Sequence, residues 1–288
     1  MNSESVQHEG ALLVVESAAD VGAAAASIVF SRITQARQEN RQCVIGCPGG
    51  RSAVTTYAAL ADLIRQNQMP IDHVVIAMMD DYVIRQSEES PTLVNADADA
   101  HYSCARFAHH HIAKPLNEAA PTGHGIDPAN IWVPTAGDPE AYELALRTAG
   151  VDVFILAVGA SDGHVAFNSA PSLLESGTRM VELSVPTRLD NTQTFPDFDS
   201  LEDVPRYGVT VGPATIRDVS ARVVLVVHGQ HKAESLKRIM ATRQYQSDWP
   251  ATVVWECKHP MIIADRRAAE LLGGEARNTS SSARDPNG

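Results

Sequence analysis

The stretch "VDVFILAVGASDGHVAFN", residues 151–168, begins as an apolar run interrupted by Asp152 and turns polar around Gly163. A strand with one face in water alternates apolar and polar side chains, whereas a strand covered on both faces does not. Residues 151–160 therefore predict a strand buried on both sides. Similar runs stand at 42–50 ("QCVIGCPGG"), 71–83 ("IDHVVIAMMDDYV"), 221–229 ("ARVVLVVHG") and 251–256 ("ATVVWE"). Between them, residues 18–40, 52–66, 101–112, 141–150, 230–242 and 265–272 carry helical spacing or composition. Apolar strands alternating with helices predict a single α/β domain, with a mostly parallel sheet and helices on both faces.

In such sheets, ligands bind beyond the C-terminal ends of the strands. Four of the runs end in "PGGRS", "MDDY", "GASDGH" and "HGQHK". A parallel sheet would bring these four ends to one edge. In "CPGGRS" (47–52), glycines open a helix whose backbone N–H groups favour an anion. Ser52 is a cap or a phosphate donor, and Arg51 adds charge; an ordinary tight turn is the competing reading. Asp80 and Asp81 end a buried strand and face opposite ways if the strand continues. One would then face a ligand as a proton-transfer base while the other braces a loop. Loop solvation and capping explain the pair equally well.

The turn in "SDGHVAFN" (161–168) is more specific. Gly163 permits an unusual backbone angle, so that Asp162 and His164 can be aimed together. A carboxylate beside a histidine fixes its tautomer and raises its basicity. A purely structural turn is the alternative. Lys232, early in a helix, opposes the helix dipole, a cost that a bound anion would relieve. Its alternative is extension into solvent. The run His109, His110 and His111 suggests a metal, but consecutive helical residues point apart and no second cluster has ligand spacing, so no metal site is expected.

The chain has 288 residues, 44% of them apolar, enough for a sizeable core. Lys plus Arg is 23 and Asp plus Glu is 35, a net charge of -12. That balance argues against nucleic acid as a partner, while leaving room for an anionic small substrate in a locally positive pocket. No apolar run approaches the roughly 20 residues of a membrane span. The start "MNSESVQHEG" lacks the features of a signal peptide. Four scattered cysteines make no disulfide framework, and the expected compartment is the cytoplasm. Residues 1–16 read as an N-terminal extension, 17–272 as the domain and 273–288 as a disordered tail. The polar, proline-punctuated segment 186–206 reads as a long loop or a lid.

Taken in order, these landmarks resemble the glucosamine-6-phosphate deaminase and 6-phosphogluconolactonase superfamily from about residue 17 to about residue 270. "PGGRSAVTTY" is similar to its phosphate loop, "MMDDYV" to the deaminase "MDEYV", and "GASDGHVAFN" to the deaminase "GxDGHIAFNE". The segment from "VPRYGVTVG" to "HGQHKAESL" resembles the deaminase stretch that ends in a phosphate-binding lysine. The resemblance implies a modified Rossmann-like fold, no cofactor, a sugar-phosphate substrate and a homo-oligomer. It makes Asp80 the base that moves the C1/C2 proton. His164 becomes the residue that assists ring opening, and Asp162 its supporting acid. Gly49, Gly50, Arg51, Ser52 and Lys232 become the phosphate site. Three departures stand out. Ser169 replaces the deaminase acid after "AFN", one extra residue precedes "DGH", and Gln193 falls near a phosphate-holding arginine. The expected activity is aldose–ketose isomerisation with deamination. Lactone hydrolysis, with His164 activating water, is the alternative, and non-catalytic sugar-phosphate binding is a third.

Overall fold

The computed structural model describes residues 11–87, 90–195 and 197–273. Its elements run β1 (Leu12–Val15), α1 (Ala18–Gln38), β2 (Cys43–Cys47), α2 (Val54–Asn67), β3 (Val74–Met78), β4 (Asp80–Arg85), β5 (Leu93–Asn95), α3 (Cys104–Phe107), α4 (Lys114–Ala119), β6 (Ile131–Trp132), α5 (Pro139–Ala149), β7 (Val153–Ala157), β8 (Arg179–Glu182), α6 (Val185–Thr194), β9 (Tyr207–Thr210), α7 (Pro213–Val219), β10 (Val223–Val227), α8 (Ala233–Met240) and β11 (Pro260–Asp265). Seven strands form a parallel sheet in the order β1-β11-β10-β7-β2-β3-β6. The protein is thus an α/β domain with a mostly parallel, Rossmann-like sheet.

Side-chain alternation along the strands divides the core in two. Ile45, Ile76, Ile155 and Val224 pack with Val29 and Ile33 of α1 and Leu60 and Ile64 of α2. Val44, Val75, Phe154 and Leu225 pack on the opposite face with Leu146 of α5, Ile216 of α7 and Leu236 of α8. Burying each such side chain contributes about 1.5–3 kcal/mol, which is why the strand runs are apolar on both faces. α1 begins where Ser17 and Asp20 form a reciprocal capping box.

The structure departs from the sequence reading in several places. The run 71–83 is two strands, because the chain leaves the parallel sheet at Met79. The Met79 N–H donates to the Cys47 carbonyl at 3.1 Å, and its carbonyl accepts from Val211 at 2.8 Å. β4 then enters a second, antiparallel sheet in the order β5-β4-β9-β8. Residues 250–256 are a 3-10 helix, not a strand. That winding buries Ala251 through Trp255, and the Trp255 indole donates to the Ile239 carbonyl at 2.9 Å. The strand at this point is β11, and residues 266–271 form turns where a helix was expected. The helix expected over 101–112 breaks into α3 and a π-helical turn, Ala108–Ala113, that carries His109–His111. β1 pairs with β11, so the sheet begins at Leu12, ahead of the expected boundary at residue 17. Apart from Gly273, the expected tail lies outside the described residues. Among the described residues, no helix is long and apolar enough to cross a membrane, and no group of three or more His, Cys, Asp or Glu converges to hold a metal.

Candidate active site

β10, β7, β2 and β3 are neighbours in the sheet, so the four polar strand ends meet. They line one cavity of about 550 Å³, and the end of α6 forms a wall across from them.

The two adjacent acids have different surroundings. Asp81 is buried and bound by three donors: the backbone N–H groups of Tyr82 and Cys104, both at 2.9 Å, and the Asn95 amide at 3.1 Å. It braces β4 against β5 and α3. Asp80, also buried, faces the cavity, and among the described residues its carboxylate accepts one hydrogen bond, from the Cys104 thiol at 3.3 Å. Burial pushes the Asp80 carboxyl up to about 7, helped by the charge of Asp81 and opposed by Cys104 and His164. A carboxyl so placed is partly ionised at neutral pH and suited to take and return a proton.

His164 and Asp162 are aimed by a loop with little freedom. The Gly159 N–H donates to the His164 carbonyl at 2.8 Å and closes the turn after β7. On α8, Ser235 Oγ donates to the carbonyls of Gly159 and Ala160, each at 3.0 Å, and holds the start of the loop. Gly163 has φ of 63°, and a Cβ there would stand 2.3 Å from the Trp249 ring. Gly159 is equally constrained: a Cβ would lie 2.2 Å from His164 Nδ1 and 2.6 Å from Asp162 Oδ1. These contacts explain why glycine stands at both positions. Ala166 also takes a left-handed φ of 51° in this loop, a strained angle for a residue with a Cβ. Asn168 holds the turn through the Val165 and Val211 carbonyls, at 3.0 and 2.8 Å.

Within this loop, His164 Nδ1 lies 2.6 Å from Asp162 Oδ1. The other carboxylate oxygen, Oδ2, lies 3.4 Å from the hydroxyls of Ser184 and Thr187. Both of those hydroxyls are bridged by Ser169 Oγ at 3.0 Å. Where the deaminase pattern has a carboxylate, this chain has a neutral cluster of hydroxyls. Burial works against the charge of Asp162, but the His164 contacts and the Ser184 hydroxyl outweigh it and hold the carboxyl below its usual range.

The opposite end of the cavity is electropositive. Gly50, with φ of 83°, turns the chain into the 3-10 turn Arg51–Ala53. Ser52 caps neither that turn nor α2; its carbonyl lies 3.1 Å from His228 Nε2. Lys232 does not extend into solvent. Its Nζ donates to the Val158 carbonyl at 2.6 Å. Burial, Arg51 nearby and only partial compensation by Asp190 lower the Lys232 pKa. Burial and the neighbouring Lys232, His228 and Arg51 lower that of His231 in the same way. An anion here would relieve this mutual repulsion.

Of the residues singled out in the sequence, Asp80, His164, Gly49, Gly50, Arg51, Ser52 and Lys232 line the cavity, and Asp162 stands behind His164. Sequence reasoning missed Cys104, Gly159, Ser235, and the α6 residues Asp190 and Asn191. It also missed Ser184, although "SVPT" (184–187) is a helix-start signal, a serine cap with proline just inside.

The fold and the site define a Rossmann-like α/β protein with a buried carboxyl, a histidine–carboxylate pair and a group of basic side chains at adjoining strand ends. The family model for glucosamine-6-phosphate isomerases/6-phosphogluconolactonase matches residues 16–263, and the chain belongs to that family. It is similar to glucosamine-6-phosphate deaminase of Cutibacterium acnes (strain DSM 16379 / KPA171202), 32% identical over 252 residues covering 85% of this chain and 87% of that one. It is also similar to glucosamine-6-phosphate deaminase 2 of Bacillus subtilis (strain 168), 28% identical over 268 residues covering 91% and 97%. Among solved structures, a monomeric glucosamine-6-phosphate deaminase superposes with a TM-score of 0.77 at 21% identity, covering 90% of this chain and 99% of that one. A 6-phosphogluconolactonase from Trypanosoma cruzi superposes with a TM-score of 0.64 at 17% identity, covering 94% and 99%.

Proposed function

We propose that the protein is a cofactor-independent aldose–ketose isomerase and deaminase that converts an amino-sugar phosphate of the glucosamine 6-phosphate type into a ketose phosphate and ammonia. The observation that carries this reading is Asp80, a buried carboxyl near neutral pKa that shares one cavity with the His164–Asp162 pair. An ionised Asp162 only accepts hydrogen bonds, so Nδ1 carries the proton and Nε2 serves the substrate. His164 moves a proton from the C1 hydroxyl to the ring oxygen, and the pyranose opens to an aldehyde. The aldehyde acidifies the C2 proton. Asp80 removes it to form an enolamine and returns it to C1, leaving an imine at C2. Water adds to the imine, and ammonia departs as the C2 carbonyl forms. The aldehyde is itself the electron sink, so the sequence of steps requires no cofactor.

We infer that the substrate phosphate occupies the electropositive end formed by residues 49–52 and Lys232. A second reading is lactone hydrolysis, favoured by the Asp162–His164 pair, which has the geometry of a base that activates water. A substrate panel separates the readings. Ammonia and ketose phosphate from glucosamine 6-phosphate support the first, and acid from 6-phosphogluconolactone supports the second. Ligand-dependent thermal stabilisation without turnover on either would indicate binding alone. We place the protein in the cytoplasm, in keeping with four free, buried cysteines. We infer that the protein is a homo-oligomer, which the mass in solution by light scattering tests.

A further inference from the structure

Cys104 stands where three parts of the site meet. Its thiol donates to Asp80 Oδ1 at 3.3 Å, and its backbone N–H donates to Asp81 Oδ1 at 2.9 Å. A Cβ built on Gly49 of the strand-end turn would lie 3.5 Å from its sulfur. The residue opens α3 directly after the capping Ser103, whose hydroxyl accepts from the Arg106 N–H at 3.3 Å. One residue thus holds both acids, with donors of different strength. Asp81 receives amide N–H groups, which favour and fix a carboxylate. Asp80 receives a thiol, a weak donor.

We propose that Cys104 is a positioning residue for the proton transfer, its thiol orienting the Asp80 carboxylate and setting how readily that carboxylate takes up a proton. The proposal rests on Asp80 being the base. A weak donor suits a group that must gain and lose its proton in each turnover. A strong donor would hold the carboxylate ionised and less basic; no donor would leave His164 to oppose burial and the group more readily protonated. The other titratable groups acting on Asp80 are Asp81 on β4 and His164 in the loop after β7, and Asp80 in turn raises the pKa of Tyr82 on β4, Tyr57 on α2 and Tyr142 on α5.

The test is the pH dependence of kcat/KM for ammonia release from glucosamine 6-phosphate in the wild type, Cys104→Ala, Cys104→Ser and Asp80→Asn. Cys104→Ala should move the acid limb to higher pH by about half a unit or more, the size expected for one hydrogen bond to a carboxylate. It should lower kcat about 3- to 30-fold at neutral pH while KM changes less than about threefold. Cys104→Ser restores a donor and should return the limb to the wild-type position or below it. An unmoved limb in Cys104→Ala, with or without a fall in kcat, overturns the proposal, because a structural role lowers activity without shifting a titration. Should Cys104→Ala fail to fold, a limb in Cys104→Ser displaced to higher pH overturns it instead. Near-normal turnover by Asp80→Asn would overturn the assignment of the base itself, a result separate from any outcome at Cys104.

Discussion

The two ends of the cavity are built in opposite ways. At the His164–Asp162 end, the loop 158–168 is tied down at nearly every turn. Ser235 and Lys232 bond the carbonyls of residues 158–160, Asn168 clips the far side, and hydroxyls from α6 surround the Asp162 carboxylate. At the α6 end, a buried donor of the cavity wall lacks a partner, although Lys232 bonds the Val158 carbonyl. Asn191 Nδ2 is buried with no hydrogen-bond partner among the described residues. Arg51 and Gln193 are exposed, and Lys232 and His231 are held below their usual pKa first by burial and then by neighbouring positive charge, Arg51 for Lys232 and Lys232, His228 and Arg51 for His231. A group that moves protons gains from being fixed before the substrate arrives. A group that binds a charged ligand keeps its donors available for it. Under the proposed function, chemistry belongs to the first end and recognition to the second, and substitutions at the two ends should separate kcat from KM.

The largest effect belongs to the fixed end. His164→Ala should lower kcat on a closed pyranose phosphate by about 10²–10⁴-fold, the usual range for a lost general acid–base. Substrates that open easily should suffer less; equal losses on both would remove ring opening from the histidine's role. Gly159→Ala should come next. Its methyl group would enter the space of the His164–Asp162 contact, and displacing catalytic groups by about 1 Å costs about 10²-fold. KM should change little, and stopped assays over a range of substrate concentrations would read the split.

Smaller effects belong to the open end. Lys232→Ala should raise KM about tenfold or more, the worth of one hydrogen bond to a charged group, and lower kcat less. Gln193→Arg should lower KM about two- to fivefold by adding an exposed charge facing the anion. A kcat effect larger than the KM effect in either variant would erase the distinction between the ends.

Asp80 makes a further distinction measurable in stability. Its folded pKa of about 7 lies above the value of 3.8 for an unperturbed aspartate. The folded state therefore holds more protons than the unfolded chain between those values, and stability falls as pH rises through that window. Asp80→Asn should raise Tm by a few degrees at about pH 8 and leave it nearly unchanged at about pH 4, as differential calorimetry would show.

The strand ends were legible because burial on both faces writes an unmistakable apolar run, and a polar residue directly after it has few structural duties. Asp80, Asp162, His164 and Lys232 all belong to that kind of position. α6 was not legible as a helix in a polar, proline-punctuated segment, since its surface faces a cavity and solvent, with little core, and so has no apolar stripe; Val185 and Leu189 are exposed. The second sheet was hidden for a different reason. Met78, Met79 and Asp80 form one continuous stretch, and only contacts with Cys47 and Val211, distant in sequence, move the chain from one sheet to the other. Residues 250–256 misled because Val253, Val254 and Trp255 are all buried, a pattern that a tightly wound helix against α8 satisfies as well as a strand.

The most direct test of the whole account is the rate at which ammonia and ketose phosphate form together from glucosamine 6-phosphate, in the wild type and in Asp80→Asn. The wild type should give the two products in equal amounts, and kcat should fall about 10²-fold or more when the carboxylate is replaced by an amide of the same size. Asp80→Asn releasing ammonia at the wild-type rate, or a wild type that releases none while opening a sugar lactone, would contradict it.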